Sequence, residues 1–343
     1  MEKRVLGRSG VHFSTLTLGA MAFGSMGNTD REDCVRIIHR ALDSGINVVD
    51  TADVYSAGES EEIVGQALKG RRDEVVLATK SYNPMGRDPN RRGSSRRWII
   101  QACEESLRRL GTDYIDLYQL HRPDANTDIE DTLGALSDLV RQGKVRMIGS
   151  STFPAEAIVE AQWASERRGS ERLRSEQPPY SIFVRGIERD VLPTCERYGM
   201  GAIVWSPLNG GWLTGKYRRD APPPSGSRFD RSARGPWGMD SPGAERKLEL
   251  LPALESVAKD SGTDLVGLSL AFTIAHPAVT STIIGPRTME QLESQLAVAD
   301  LRLDDATLDR IDEIVPPGET VSRTDISYEP RQIRRPELRR IRA

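Results

Sequence analysis

Four side chains able to hold or move a proton occupy telling places in the sequence. Asp50 lies in INVVDT, Lys80 ends VVLATK, His121 ends YIDLYQLH, and Tyr55 follows Asp50 by five residues. A tyrosine hydroxyl, with an ordinary pKa of ~10, is a poor acid at neutral pH unless a nearby cation stabilises its phenolate. Lys80 could supply that cation, Asp50 could keep it charged and oriented, and His121 could orient a carbonyl oxygen. Together they form general-acid machinery for a reaction that creates an alkoxide. Each also has a plainer reading: Asp50 as a turn former, Lys80 snorkelling to a rim, His121 as a satisfied rim histidine, Tyr55 as packing. Composition sharpens the interest in Lys80. Of 47 basic residues only Lys3, Lys69, Lys80, Lys144, Lys216, Lys247 and Lys259 are lysines, so one kept in an apolar stretch stands out.

The elements that must position these groups are short, β-branched, nearly unbroken apolar runs of the kind buried on both faces of a parallel sheet. They cover 15–19, 46–51, 75–80, 114–121, 145–151, 174–177, 201–206 and 281–285. Amphipathic segments lie between them. Thr29-Asp30-Arg31-Glu32 reads as a capping box opening a helix with Val35, Ile38 and Leu42 on one face. Segments 94–110, 129–141, 154–167, 188–198 and 289–298 are also helical in pattern, and several end at glycine (Gly111, Gly143, Gly169, Gly199). This alternation predicts an α/β fold, a single-domain (β/α)₈ TIM barrel with long loops on its C-terminal face. The run ends Gly19, Asp50, Lys80, His121, Ser151, Gln177, Ser206 and Gly285 would then meet around one mouth, with Tyr55 in the loop just beyond its strand.

The chain has 343 residues, 38% hydrophobic and 28% charged, with a formal net charge of −3. That balance fits a globular protein and gives no bulk attraction to nucleic acid or an anionic membrane. Three cysteines far apart (Cys34, Cys103, Cys195) form neither a disulfide framework nor a metal-binding spacing, so no metal is expected and a reducing cytoplasm is. No apolar run approaches the roughly 18 residues of a membrane helix. Stretches 82–97 and 217–243, rich in Pro, Gly, Ser and Arg, follow strand ends and are candidate lids. Residues 1–315 are expected to form the barrel and 316–343 an irregular, solvated, arginine-rich tail.

NVVDTADVYSAGESEEIVGQAL, VVLATK and DLYQLHRPD, in that order, resemble the motifs of the aldo-keto reductase superfamily. GSSTF, SEQPPYSIFVR, WSPLNGGWLTGKY and IIGPRTMEQLESQL add to the likeness, which runs from about residue 1 to 315. The branch it follows contains potassium-channel β-subunits and bacterial sugar-nucleotide reductases. The resemblance implies a catalytic tetrad of Asp50, Tyr55, Lys80 and His121, with Asp50 also bordering the cofactor, and NADPH/NADP⁺ as that cofactor. It implies that Ser151, Thr152 and Gln177 hold the nicotinamide carboxamide, Thr152 standing where Asn is more common. Trp205 would stack on the nicotinamide and Met21 would lie against it. Ser206, Pro207, Leu208, Gly210 and Lys216, with Arg228, would surround the pyrophosphate. Gly285, Arg287, Gln291 and Gln295 would take the adenosine end, with Gln295 replacing the usual Asn.

Backbone amides and one lysine can hold a pyrophosphate without a Rossmann fingerprint, which is absent here. An arginine such as Arg287 offers a forked donor suited to a 2′-phosphate. Trp205 also reads as a core aromatic. Phe23, Tyr82, Trp98 and Trp237 either line an aromatic substrate pocket or simply pack. The expected activity is reduction of a small-molecule aldehyde or ketone, with a deoxysugar-nucleotide keto or enoyl reductase and a cofactor-sensing regulatory subunit as alternatives.

Overall fold

A computed structural model describes residues 1–231 and 238–340. The strands are β1 (Lys3–Val5), β2 (His12–Ser14), β3 (Leu16–Gly19), β4 (Val48–Asp50), β5 (Val76–Ser81), β6 (Ile115–Leu120), β7 (Val145–Ser151), β8 (Leu173–Gln177), β9 (Gly201–Val204) and β10 (Val279–Ile284). The helices are α1 (Arg31–Asp43), α2 (Glu59–Ala67), α3 (Arg96–Leu110), α4 (Ile129–Arg141), α5 (Ala155–Arg168), α6 (Val191–Tyr198), α7 (Arg228–Arg231), α8 (Ala244–Asp260), α9 (Leu265–Ala275), α10 (Met289–Leu296), α11 (Asp305–Ile314) and α12 (Arg331–Arg334). Strands β3 to β10 are parallel and close into a barrel in chain order, β10 pairing with both β9 and β3. Each of the eight apolar runs contributes one of these strands. The (β/α)₈ expectation holds.

Helix starts follow local hydrogen-bond chemistry, with one shift. Asp30, not Thr29, caps α1 by accepting from the Asp33 amide, because a carboxylate is the stronger acceptor beside a helix N-terminus. Ser95 and Asp128 cap α3 and α4 in the same way. Helices α8, α9 and α11 lie outside the segments read as helical; α9 (LVGLSLAFTIA) is apolar all round and largely buried.

The N-terminal hairpin β1–β2 is absent from the sequence reading, its strands KRV and HFS standing outside any apolar run. It stops the barrel floor. Leu6 and Phe13, both fully buried, join the inward-facing Val48, Ala78, Leu117, Ile203 and Ile283 in one apolar cluster. Gly7 in its turn has φ +51 and lies so close to Gly199 that a Cβ would meet that carbonyl oxygen at 2.3 Å. A larger cluster fills the layer between the strands and the helices.

The segment after 316 departs from the expected solvated tail. The Val321 amide bonds the Phe183 carbonyl at 2.9 Å and the Ser322 hydroxyl donates to the Pro242 carbonyl at 2.5 Å. Asp325, fully buried, faces the Lys247 ammonium of α8 at 2.6 Å. Lys247 is also fully buried, and a buried cation requires an anion beside it; the tail brings one. Residues 335–340 are exposed. No helix among the described residues is long and apolar enough to cross a membrane.

Candidate active site

Side chains two residues apart on a strand share a face, so the floor layer fixes the layer above it. Val48 inside the barrel puts Asp50 inside; Ala78 does the same for Lys80, Leu117 for Gln119 and then His121, and Ile203 for Trp205. Lys80 and Asp50 are 1% and 3% exposed. Lys80 Nζ donates to Asp50 Oδ1 at 2.5 Å, to the Thr51 carbonyl at 2.8 Å and to the Tyr55 hydroxyl at 3.4 Å. Asp50 Oδ2 accepts from Gln177 Nε2 at 2.9 Å and Gln119 Nε2 at 3.2 Å.

Tyr55 opens a short turn, Tyr55–Gly58, directly after β4. Ser56 and Ala57 are held there at φ 50 and 56. The Ser56 hydroxyl donates to the Phe23 carbonyl at 2.9 Å and accepts from the Met26 amide at 3.1 Å, tying this turn to the loop after β3. The ring of His121 meets Tyr55 edge-on, centroids 5.7 Å apart. Thus all four proton-handling residues come together at one mouth.

The charges follow from burial and neighbours. Burial opposes the charge on Lys80, but Asp50 and Tyr55 outweigh it and raise the lysine's pKa above its ordinary value. Burial, then the charges of Lys80 and Arg122, push His121 well below the usual histidine range, so its imidazole is neutral. Asn83 Nδ2 lies 3.2 Å from His121 Nδ1; with the amide nitrogen donating, the ring proton sits on Nε2, free to donate.

The remaining expected site residues spread around the same end of the barrel. The Ser151 hydroxyl donates to the Gln177 carbonyl at 2.9 Å. Thr152 has φ +60, and its hydroxyl accepts from Arg122 at 2.9 Å. Trp205 and Ser206 are half-buried, Pro207 is buried, and Leu208 is half-buried. Ser206 and Asn209 are left-handed, as are Gly210 and Gly211; the Gly210 amide bonds Ser206 Oγ at 3.2 Å. Five of the six non-glycine residues with positive φ among the described residues (Ser56, Ala57, Thr152, Ser206, Asn209) lie in loops beyond strand ends, where strain commonly marks a ligand-binding surface. Lys216 is exposed, its ammonium 5.2 Å from the Tyr217 ring centre. Gly285 is exposed. The Arg287 guanidinium bonds the Gly226 carbonyl at 3.0 Å, and its amide bonds Gln291 Oε1 at 2.8 Å. Gln295 is buried with Oε1 unpartnered among the described residues. Met21 is 36% exposed.

The aromatic pocket is thinner than expected. Phe23 and Trp98 are fully buried, Phe23 in the apolar core and Trp98 beneath the Arg91 guanidinium, which leaves them no surface to offer a substrate. Tyr82 is half-buried. Trp237 lies outside the described residues, as does the side chain of Arg228, whose backbone opens α7. Sequence reasoning missed Gln119, Asn83 and Arg122. Gln119 was findable, since it sits two residues before His121 on the same strand face.

The sequence profile of the aldo/keto reductase family matches residues 15–316. The chain belongs to that family. It is 39% identical to the uncharacterised oxidoreductase YrpG of Bacillus subtilis, over 93% of this chain and 97% of that one. It is 35% identical to a probable voltage-gated potassium channel subunit beta of Arabidopsis thaliana, over 92% and 97%. The aldo-keto reductase YhdN of Bacillus subtilis is 33% identical, over 86% and 87%. Membership of the aldo/keto reductase family, with these oxidoreductases as relatives, marks the chain as a carbonyl-reducing oxidoreductase.

Proposed function

We propose that this aldo/keto reductase uses NADPH to reduce an aldehyde or ketone reversibly to an alcohol. The observation that carries the reading is the contact of Lys80 with both Asp50 and Tyr55 beside a neutral His121. Tyr55 donates its proton to the carbonyl oxygen, and the protonated Lys80 lowers the cost of leaving a phenolate behind. Asp50 keeps Lys80 charged. His121 holds the same oxygen through its ring N–H, which a neutral imidazole does without competing for the proton.

The chain's residues fit a nicotinamide dinucleotide. The buried Gln295 Oε1, unpartnered among the described residues, is an acceptor awaiting a donor such as the adenine amino group. The left-handed run at Asn209, Gly210 and Gly211, beside Lys216, suits a pyrophosphate. Ser151, Thr152 and Gln177 would hold the carboxamide, Trp205 and Met21 the nicotinamide ring, and Arg287 the 2′-phosphate. When bound, the reduced nicotinamide supplies the hydride. The three free, buried cysteines support a cytoplasmic location.

The likeness to a channel β-subunit favours one rival, a cofactor-sensing regulatory role. The test is NADPH oxidation by the purified protein with aromatic aldehydes, then with nucleotide-linked ketosugars. Turnover of the aldehydes supports the general reductase. Turnover of the ketosugars alone makes it a sugar-nucleotide enzyme, and tight NADPH binding without turnover of either makes it a sensor.

A further inference from the structure

Arg122 leaves β6 directly after His121 and turns its half-buried guanidinium across the mouth. Nη1 is fully used, donating to the His121 carbonyl at 2.7 Å and to Thr152 Oγ1 at 2.9 Å. The guanidinium carbon lies 5.9 Å from the centre of the Trp205 ring. Tyr55 and Tyr82 are close enough for their charge state to act on it. The group therefore borders the space in front of the proton-donating tyrosine.

Several other partly or fully buried arginines of this protein meet carboxylates: Arg72 with Asp116, Arg109 with Glu61, and Arg185 with Glu188 and Asp312. Among the described residues Arg122 has no carboxylate within ion-pair distance, and neither Nε nor Nη2 has an acceptor. Glu176, the carboxyl whose charge reaches it, is occupied by the Ser150 hydroxyl at 2.5 Å and the Phe153 amide at 3.0 Å. A cation withdrawn from water in this way is costly unless an anion completes it. The open edge is informative, because Nε–H and Nη2–H point the same way and match the two oxygens of a carboxylate.

We propose that Arg122 selects substrates, and that the pocket takes carbonyl compounds carrying a carboxylate, which docks on the Nε/Nη2 edge while the carbonyl faces Tyr55 and His121. This rests on the reductase reading above and adds its substrate class. The probes are 4-carboxybenzaldehyde and its neutral analogue methyl 4-formylbenzoate, with NADPH. Charge-assisted hydrogen bonds worth about 1.5–3 kcal/mol give a preference in kcat/KM of roughly 10- to 100-fold for the acid. In Arg122→Met the acid-to-ester ratio drops to about one, whatever the absolute rates, and Arg122→Lys recovers part of it. A wild-type ratio near one overturns the proposal and leaves the reductase reading intact. So does an Arg122→Met variant that keeps the wild-type ratio, or one whose NADPH Kd rises by the factor lost for the acid, which would put the guanidinium on the cofactor. If neither aldehyde is reduced, the reductase reading fails, and calorimetric titration with 4-carboxybenzyl alcohol still decides. Binding to the wild type but not to Arg122→Met supports the carboxylate site; equal or absent binding overturns it.

Discussion

Burial alone would lower the pKa of Lys80; the Asp50 carboxylate at 2.5 Å and the Tyr55 hydroxyl at 3.4 Å reverse that. In the proposed mechanism that cation stabilises the phenolate left when Tyr55 gives up its proton. Tyr55→Phe should therefore keep NADPH affinity, read by fluorescence titration, while kcat falls by roughly 10² to 10⁴; near-normal turnover would remove Tyr55 from the mechanism. A second titrating group lies behind the site. Burial lifts the pKa of Glu176 from 4.5 to about 7. The folded state then holds a proton that the unfolded chain has lost, so this stability is present below pH 4.5 and lost as pH rises through about 7. His121 works the other way: its depressed pKa gives stability present above about 6.5 and lost as pH falls. Glu176→Gln mimics the protonated acid, so in urea it should match the wild type near pH 4 and exceed it at pH 8 by on the order of 3 kcal/mol. Equal pH dependence in the two proteins would sink this account. Asp50, Lys80 and His121 were legible because each stands at the end of an apolar run, where its side chain has to face the mouth. Asn83 and Arg122 were not, since their positions depend on loop conformation. Phe23 misled because an aromatic near a mouth and an aromatic beneath it look alike in sequence.

Strands translate pattern into place more faithfully than loops do. Alternation within the apolar runs of β4, β5 and β6 carried the floor residues and the proton-handling layer together, whereas β1 (KRV) and β2 (HFS) lie in no apolar run that could announce them. The stretch 217–243, expected to be a bare lid, includes α7 and anchors itself: Tyr217 and Phe229 stack at 4.3 Å and both pack on Trp212. Its reach toward β10 ends in the hydrogen bond from Arg287 to the Gly226 carbonyl. A 2′-phosphate would compete for the same guanidinium. Arg287→Ala should lower the preference for NADPH over NADH by roughly 10- to 100-fold, measured as the ratio of the two Kd values. An unchanged ratio would show that the arginine serves only the loop.

At the scale of the whole molecule, barrel closure and the layered core were both implied by eight apolar runs in 343 residues. The fate of the tail was not, because the pairing of Lys247 with Asp325 spans residues far apart in sequence and neither neighbourhood hints at it. The same Asp325 also accepts from Asn209 Nδ2 at 3.0 Å, so one carboxylate joins α8, the tail and the loop beyond β9. Asp325→Ala should cost about 3–5 kcal/mol in chemical denaturation, the range for stripping one partner from a buried ion pair. A loss below 1 kcal/mol would mean that water reaches Lys247 in the variant.

The stretch matched by the family profile, residues 15–316, begins after Phe13 and ends before Asp325. The profile and the unit that buries its own core therefore do not share borders in this protein. A fragment trimmed to the profile would own every strand of the barrel and all four proton-handling residues, yet its floor would stand open to water and its buried ammonium would have lost its counter-charge. Such a fragment should melt well below the full chain, and adding back the first fourteen residues alone should restore only part of the difference.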